Sequence, residues 1–142
     1  MSFGWSAGDI VAALRLLNKV RIALTDSGGA ACDYQEQTVF LQTVSITLNH
    51  LDALQHEPLD PDICDNLRQH CELIRPSLRR FLSTADRSFE ASLGAATAKS
   101  KLLSTPRRLQ WALSTSKEVR SLRSKIGSSL SAIQVVVSQQ IV

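Results

Sequence analysis

Three histidines, three cysteines and a short run of aspartates are the side chains of this sequence whose types could do chemistry. A zinc site needs four nitrogen or sulfur ligands, usually in pairs spaced by two to four residues. Cys64, His70 and Cys71 do not have that spacing, and no second pair completes the set. His50 and His56 lie six apart, on different faces of a helix, and His70 belongs to another segment. Asp60, Asp62 and Asp65 lie close together, but the glycine hinge and the distal bidentate glutamate of an EF-hand loop are missing. They read instead as charges that favour a helix N-terminus. No phosphate-binding P-loop motif and no dinucleotide glycine fingerprint occurs. The expectation is a protein that is not an enzyme, with no catalytic residues, no metal and no cofactor.

The cysteines do not suggest a disulfide framework either. Cys64 and Cys71 stand seven residues apart on one helix, about 10 Å along its axis and too far to bridge. The odd number of thiols, with no leader of secretory type at the N-terminus, points to a reducing cytosol. No window contains eighteen consecutive apolar residues, so no constitutive membrane span is expected.

Hydrophobic periodicity defines the elements that must position these side chains. With 142 residues, 44% apolar and 20% charged, the chain fits a single globular domain, 1–142. A first helix starts around Ser6 to Asp9, whose types and spacing make a capping pair. Ala13, Leu17, Val20 and Leu24 share its apolar stripe, flanked by Ile10 and Leu16, with Arg15 and Lys19 nearly opposite and facing water. It stops at Asp26-Ser27-Gly28-Gly29. A second helix runs from about Cys32 to His56, with Leu41, Val44, Leu48 and Leu51 at the spacing of a helix packed along its length.

After the turn at 57–61, Asp60 or Asp62 caps a third helix with Pro61 in its first turn. Its stripe reads Ile63, Leu67, Cys71, Ile74, Leu78, Phe81, Ala85, Phe89 and Leu93. The stripe keeps phase across Pro76, so the proline kinks this helix without ending it. Cys71 is then a small buried hydrophobe. Beyond the small and polar stretch Gly94 to Ser104, a fourth helix begins near Thr105-Pro106. Its expected stripe is Leu109, Leu113, Val119, Leu122, Ile126, Leu130, Ile133 and Val137. The terminal VVVSQQIV has β propensity and no charge, and reads here as a helix end. The expected fold is all-α, an antiparallel four-helix bundle with its third helix kinked near Pro76.

Charge is segregated along the chain. Residues 1–96 carry eight Lys/Arg against twelve Asp/Glu, while 97–142 carry eight against one, Glu118. The basic fourth helix is either a solvated face beside acidic neighbours or a docking face for anionic lipid or an acidic partner. Nucleic acid is not expected, since Trp111 is the basic stretch's one stacking residue and no binding motif is present.

The opening Ser2-Phe3-Gly4-Trp5-Ser6-Ala7-Gly8-Asp9-Ile10 resembles the start of fungal HeLo-like N-terminal domains, which head fungal STAND/NLR receptors and related multidomain proteins. Later segments agree in order: Asp26-Ser27-Gly28-Gly29 followed by Asp33-Tyr34-Gln35-Glu36, then Leu48-Asn49-His50-Leu51, then Trp111-Ala112-Leu113 with Lys117-Glu118-Val119 and Leu122-Arg123-Ser124-Lys125-Ile126. The resemblance covers nearly the whole chain. It implies a helical effector that induces regulated cell death, assembled by a receptor or upstream signalling protein and self-associating on activation. In that group the N-terminal helix engages membrane. The implied location is the cytoplasm at rest and the plasma membrane when activated. The alternative is a helical adaptor that oligomerises or recruits proteins without membrane activity.

Under the effector reading, Phe3, Trp5, Ile10, Val11 and Leu14 engage the membrane, with Phe3 and Trp5 as interfacial anchors. Arg15, Lys19, Arg107, Arg108, Lys117, Arg120, Arg123 and Lys125 contact anionic lipid or a partner. Residues 2–9 are then expected to be removable with the bundle left intact. Ile10 to Leu24 would extend only about 22 Å, short of the roughly 30 Å hydrocarbon core, which favours action in the interface by several copies.

Overall fold

The computed structural model describes residues 5–28, 32–89 and 105–140, and the side-chain surroundings of 5–25, 35–89 and 110–140. Four helices make up the structure: α1 (Ala7–Gly28), α2 (Cys32–Leu54), α3 (Pro61–Phe89) and α4 (Thr105–Gln140). No strand occurs among the described residues, and Val135-Val136-Val137 is helical.

Local chemistry explains the helix starts. The Asp9 backbone N–H donates to Ser6 Oγ at 3.0 Å, and the Ser6 N–H donates back to Asp9 Oδ2 at 3.2 Å. This reciprocal box satisfies two donors that the first turn of α1 would otherwise leave unpaired. At α3 the Asp62 N–H donates to Asp60 Oδ1 at 2.8 Å. Asp60 is therefore the cap, and Pro61 takes the first helical position, where its missing N–H costs nothing. α2 is rich in threonine and serine, poor helix formers in isolation. Their hydroxyls turn back on the helix: Thr43 donates to the Val39 carbonyl at 3.0 Å and Ser45 to the Leu41 carbonyl at 3.1 Å. α3 continues through Pro76 with Ile74 and Leu78 both buried, so the stripe does keep its phase.

One aliphatic core runs through all four helices. Leu17, Leu24, Leu41, Val44, Leu67, Leu78 and Ile133 have no measurable exposure. The stripes expected for α1, α2 and α3 are the buried faces over their described side chains. Leu93, the last position expected on the α3 stripe, lies outside the described residues, as does Gly94 to Ser104.

The register of α4 differs from expectation in its first half. Leu113 is 57% exposed, while Trp111 is 2% exposed and Ala112, Thr115 and Ser116 are buried. Trp111 precedes Leu122 by eleven residues, three full turns, and so continues the face of Leu122 and Ile126. Leu113 points nearly the other way. The signal was obscured because two hydroxyl residues occupy the inward positions between Trp111 and Val119. The side chain of Leu109 lies outside those described.

The order of helices around the bundle is α1, α2, α4, α3. α1 packs on α2, α2 on α4, α4 on α3 and α3 on α1, with α1 and α4 also meeting across the middle, whereas the α2 and α3 backbones do not approach closely. Helices adjacent in sequence run antiparallel. Pairs brought together from further along the chain run parallel: Asp9 and Lys19 of α1 meet Arg79 and Asp86 of α3. Likewise Phe40 and Thr47 of α2 meet Arg123 and Gln134 of α4. The bundle thus has two parallel seams, α1–α3 and α2–α4.

Candidate functional site

The α1–α3 seam holds Trp5 and Lys19, two of the side chains expected to act. Trp5, just ahead of α1, is 4% exposed. Its indole fills the space between α2 and α3, beside Val44, Leu48, Cys71, Ile74 and Leu78, leaving a void of only about 10 Å³. The Arg79 guanidinium lies 5.7 Å from its ring centroid, and the same Arg79 pairs with Asp9 at 3.7 Å. Ile10 is 1% exposed, Leu14 is half-buried and Val11 is 52% exposed. Trp5 and Ile10 are thus core residues of the folded bundle and reach a membrane only if the segment leaves its seat. Phe3 lies outside the described residues. Removing 2–9 would take out the Trp5 wedge and both halves of the Ser6–Asp9 box, contrary to the expectation that this segment is dispensable to the fold.

Lys19 is also placed differently from the sequence expectation. Instead of standing in water, its ammonium is 3.3 Å from Asp86 Oδ1 and 4.4 Å from the centroid of Phe89. Phe89 in turn meets Trp111 edge to face, 5.8 Å between centroids at 82°. Asp86, Lys19, Phe89 and Trp111 therefore form a clasp joining α3, α1 and α4. The reason is geometric: α3 runs parallel to α1 at that level and brings a carboxylate and a ring to the lysine stem.

The outward face of α1 carries Val11, Arg15 and Ile22, all exposed, with Ile22 at 47%. Their spacings of four and seven put them on one side of the helix. Ile22 was not singled out from the sequence, although the same spacings, read from the side opposite Leu17, would have found it. Asp9, at the start of α1, has its carboxyl held below the usual value by the Ser6 hydrogen bonds first and by the nearby guanidiniums of Arg79 and Arg75 second.

On α4, Lys117, Arg120, Arg123 and Lys125 are exposed, with Arg123 5.8 Å from the Phe40 ring centroid. Arg107 and Arg108 lie in α4, and their side chains are outside those described. Between α2 and α4 a groove of about 850 Å³ opens, with Glu36, Val39 and Phe40 on one side and Arg123, Gly127 and Leu130 on the other. Beyond it a second hollow of about 340 Å³ is lined by Ile46, His50 and Val137. Gln134 Nε2 donates to Thr47 Oγ1 at 3.2 Å and spans the seam between them.

The residues with latent chemistry stay apart. His50 and His56 are exposed and His70 is half-buried on α3. Cys64 and Cys71 are buried free thiols, and burial pushes Cys71 up to about 11, so it is protonated and unreactive at neutral pH. Among the described residues no three His, Cys, Asp or Glu side chains gather as a metal site, and no helix is long and apolar enough to cross a membrane. What the fold defines is a four-helix bundle with one sealed and one open parallel seam. No known family model matches the chain, and no curated protein or solved structure matches it either.

Proposed function

We propose that the chain is the effector or signalling domain of a fungal STAND/NLR-like protein. It induces regulated cell death by oligomerising and bringing α1 to the membrane. The observation that carries this reading is the outward face of α1, where the exposed Val11 and Ile22 flank the exposed Arg15. Apolar and basic side chains on one exposed face suit the boundary of an anionic bilayer. The resemblance of the first ten residues to HeLo-like domains supports it independently. α1 acts in the plane of the interface, since its central charges keep a single copy from spanning, and the exposed bases of α4 add attraction to anionic headgroups. An upstream receptor gathers the copies, from a cytoplasmic resting state.

The test is dye release from anionic vesicles and toxicity on expression, comparing the wild type with Val11→Glu/Ile22→Glu. Both positions are exposed, so the variant is expected to keep its circular dichroism and melting temperature while release and toxicity disappear. Full activity in the folded double variant would end the α1 mechanism. Replacing Lys117, Arg120, Arg123 and Lys125 by Gln is expected to weaken vesicle binding by up to about 1 kcal/mol per charge, and added salt should mimic it. The alternative reading, a helical adaptor without membrane activity, is favoured by the open α2–α4 groove.

A further inference from the structure

We infer that the α2–α4 seam is a self-association surface on which two copies of this chain pack about a two-fold axis, the α2 ridge of each lying in the groove of the other. Two observations carry this. Val39 and Ile46 stand seven residues apart on one face of α2, 59% and 47% exposed, Val39 lining the groove and Ile46 the hollow beyond it. Beside them, Gly127 sits inside the 36-residue helix α4, where a Cβ would meet nothing within 4 Å. Glycine within a helix is unfavourable, and nothing inside this chain requires it at 127, so the missing side chain leaves room for a group from outside. A ridge and a hole side by side on one face are what a two-fold interface needs, because each copy must supply both.

The polar groups at the ends of the ridge agree with the same arrangement. Glu36 and His50, both exposed, mark the two ends of the ridge, with Thr43 midway. An antiparallel pairing centred on Thr43 sets Glu36 of one copy against His50 of the other, carboxylate to imidazole, at both ends. Glu36 to His50 is about 21 Å of helix, and two helix widths give a footprint on the order of 400 Å² per copy. That is at the low end for specific contacts, so the dimer is weak and forms as local concentration rises, with a dissociation constant of roughly tens to hundreds of micromolar. The inference names the surface for the self-association in the proposed effector role and rests on that role only for its purpose.

The experiment is sedimentation equilibrium of the full chain in solution, without lipid, from about 10 μM to about 1 mM. The mean mass is expected to rise from the 15.6 kDa monomer toward the dimer. Gly127→Glu and Val39→Glu are each expected to weaken association at least tenfold with the melting temperature kept. Val39 is exposed and a Cβ at 127 meets nothing within 4 Å, so unfolding does not confuse the result. In a Cys32→Ser background, Thr43→Cys is expected to cross-link to a covalent dimer on mild oxidation, since only a two-fold axis at residue 43 brings the two thiols together. A mass of 15.6 kDa at every concentration, association untouched by both glutamates, or a groove that takes an unrelated amphipathic helix peptide while the chain stays monomeric would overturn the inference. Vesicle leakage by Val11→Glu/Ile22→Glu is read separately, so failure of the dimer and failure of the membrane reading are distinguishable.

Discussion

The two parallel seams of this bundle share a geometry and differ in how they are closed. Along α1–α3, two ion pairs, Asp9–Arg79 and Lys19–Asp86, and two cation–ring contacts bridge the helices, and Trp5 fills the core behind them. Along α2–α4, the Gln134–Thr47 hydrogen bond and the Arg123–Phe40 contact span a groove that polar and apolar side chains line but do not fill. Parallel neighbours in a bundle are never joined by a short loop, so nothing in the connectivity holds either seam shut. Side chains alone decide. The sealed seam holds down the helix proposed to engage membrane, and the open one leaves a surface for another chain.

The largest expected effect tests the core that both seams share. Leu78→Asp places a carboxylate where the native side chain has no exposure, at a cost of several kcal/mol against a total stability of roughly 5–15 kcal/mol. Loss of the helical circular dichroism signal is the expected outcome, and an unchanged melting curve would show that α3 is misoriented.

Next in size is the contrast between the seams themselves. Trp5→Ala removes the wedge of the sealed side and should cost about 3–5 kcal/mol in urea unfolding. Val39→Ala on the open side should cost less than about 0.5 kcal/mol. Similar values for the two would dissolve the distinction.

A change of opposite sign sharpens it. Gly127→Ala is expected to stabilise the monomer by about 0.5–1 kcal/mol, because it improves helix propensity and the new methyl meets no neighbour. Destabilisation would mean that α2 and α4 approach more closely than the groove implies.

Smaller still is the clasp. Lys19 and Asp86 keep 34% and 42% of their side-chain surface exposed. Asp86→Asn should therefore cost at most about 1 kcal/mol, less at high salt.

The smallest effect is a pH dependence at the start of α1. The Asp9 carboxyl is held below its ordinary value of 3.8, so its contribution is present above that value and fades as pH falls through the lower folded value. Between neutrality and pH 4 the amide of Ser6, which donates to the Asp9 carboxylate, should stay protected from hydrogen exchange. Below that, the first turn of α1 should open before the rest of the bundle, and Asp9→Asn should remove the pH dependence.

How much of this was legible in the sequence depends on the kind of interaction. The Ser6–Asp9 box, the Asp60 cap, the stop at Gly28 and the stripes of α1, α2 and α3 are local. Each depends on residues within one or two helical turns, whose geometry the backbone dictates. The all-α bundle follows from them, because four amphipathic faces must be buried against one another. The start of α4 was misread where Thr115 and Ser116 stand inward, since hydroxyls on a buried face are indistinguishable from a solvated stretch until the neighbouring helix is in place.

Tertiary structure alone decided which faces meet. Periodicity says where a stripe lies on its own helix and nothing about which helix covers it, so the order α1, α2, α4, α3 and its two parallel seams had no signature along the chain. The roles of Trp5 and Lys19 follow from that order. An indole near a helix start suits a bilayer interface or a gap between helices equally well, and here the α2 and α3 backbones stand far enough apart for Trp5 to sit among their side chains. A lysine opposite an apolar stripe belongs in water unless a parallel neighbour brings a carboxylate and a ring to it, as α3 does. Gly127 is silent in the sequence for the same reason: only with α2 alongside is the space around it seen to be empty.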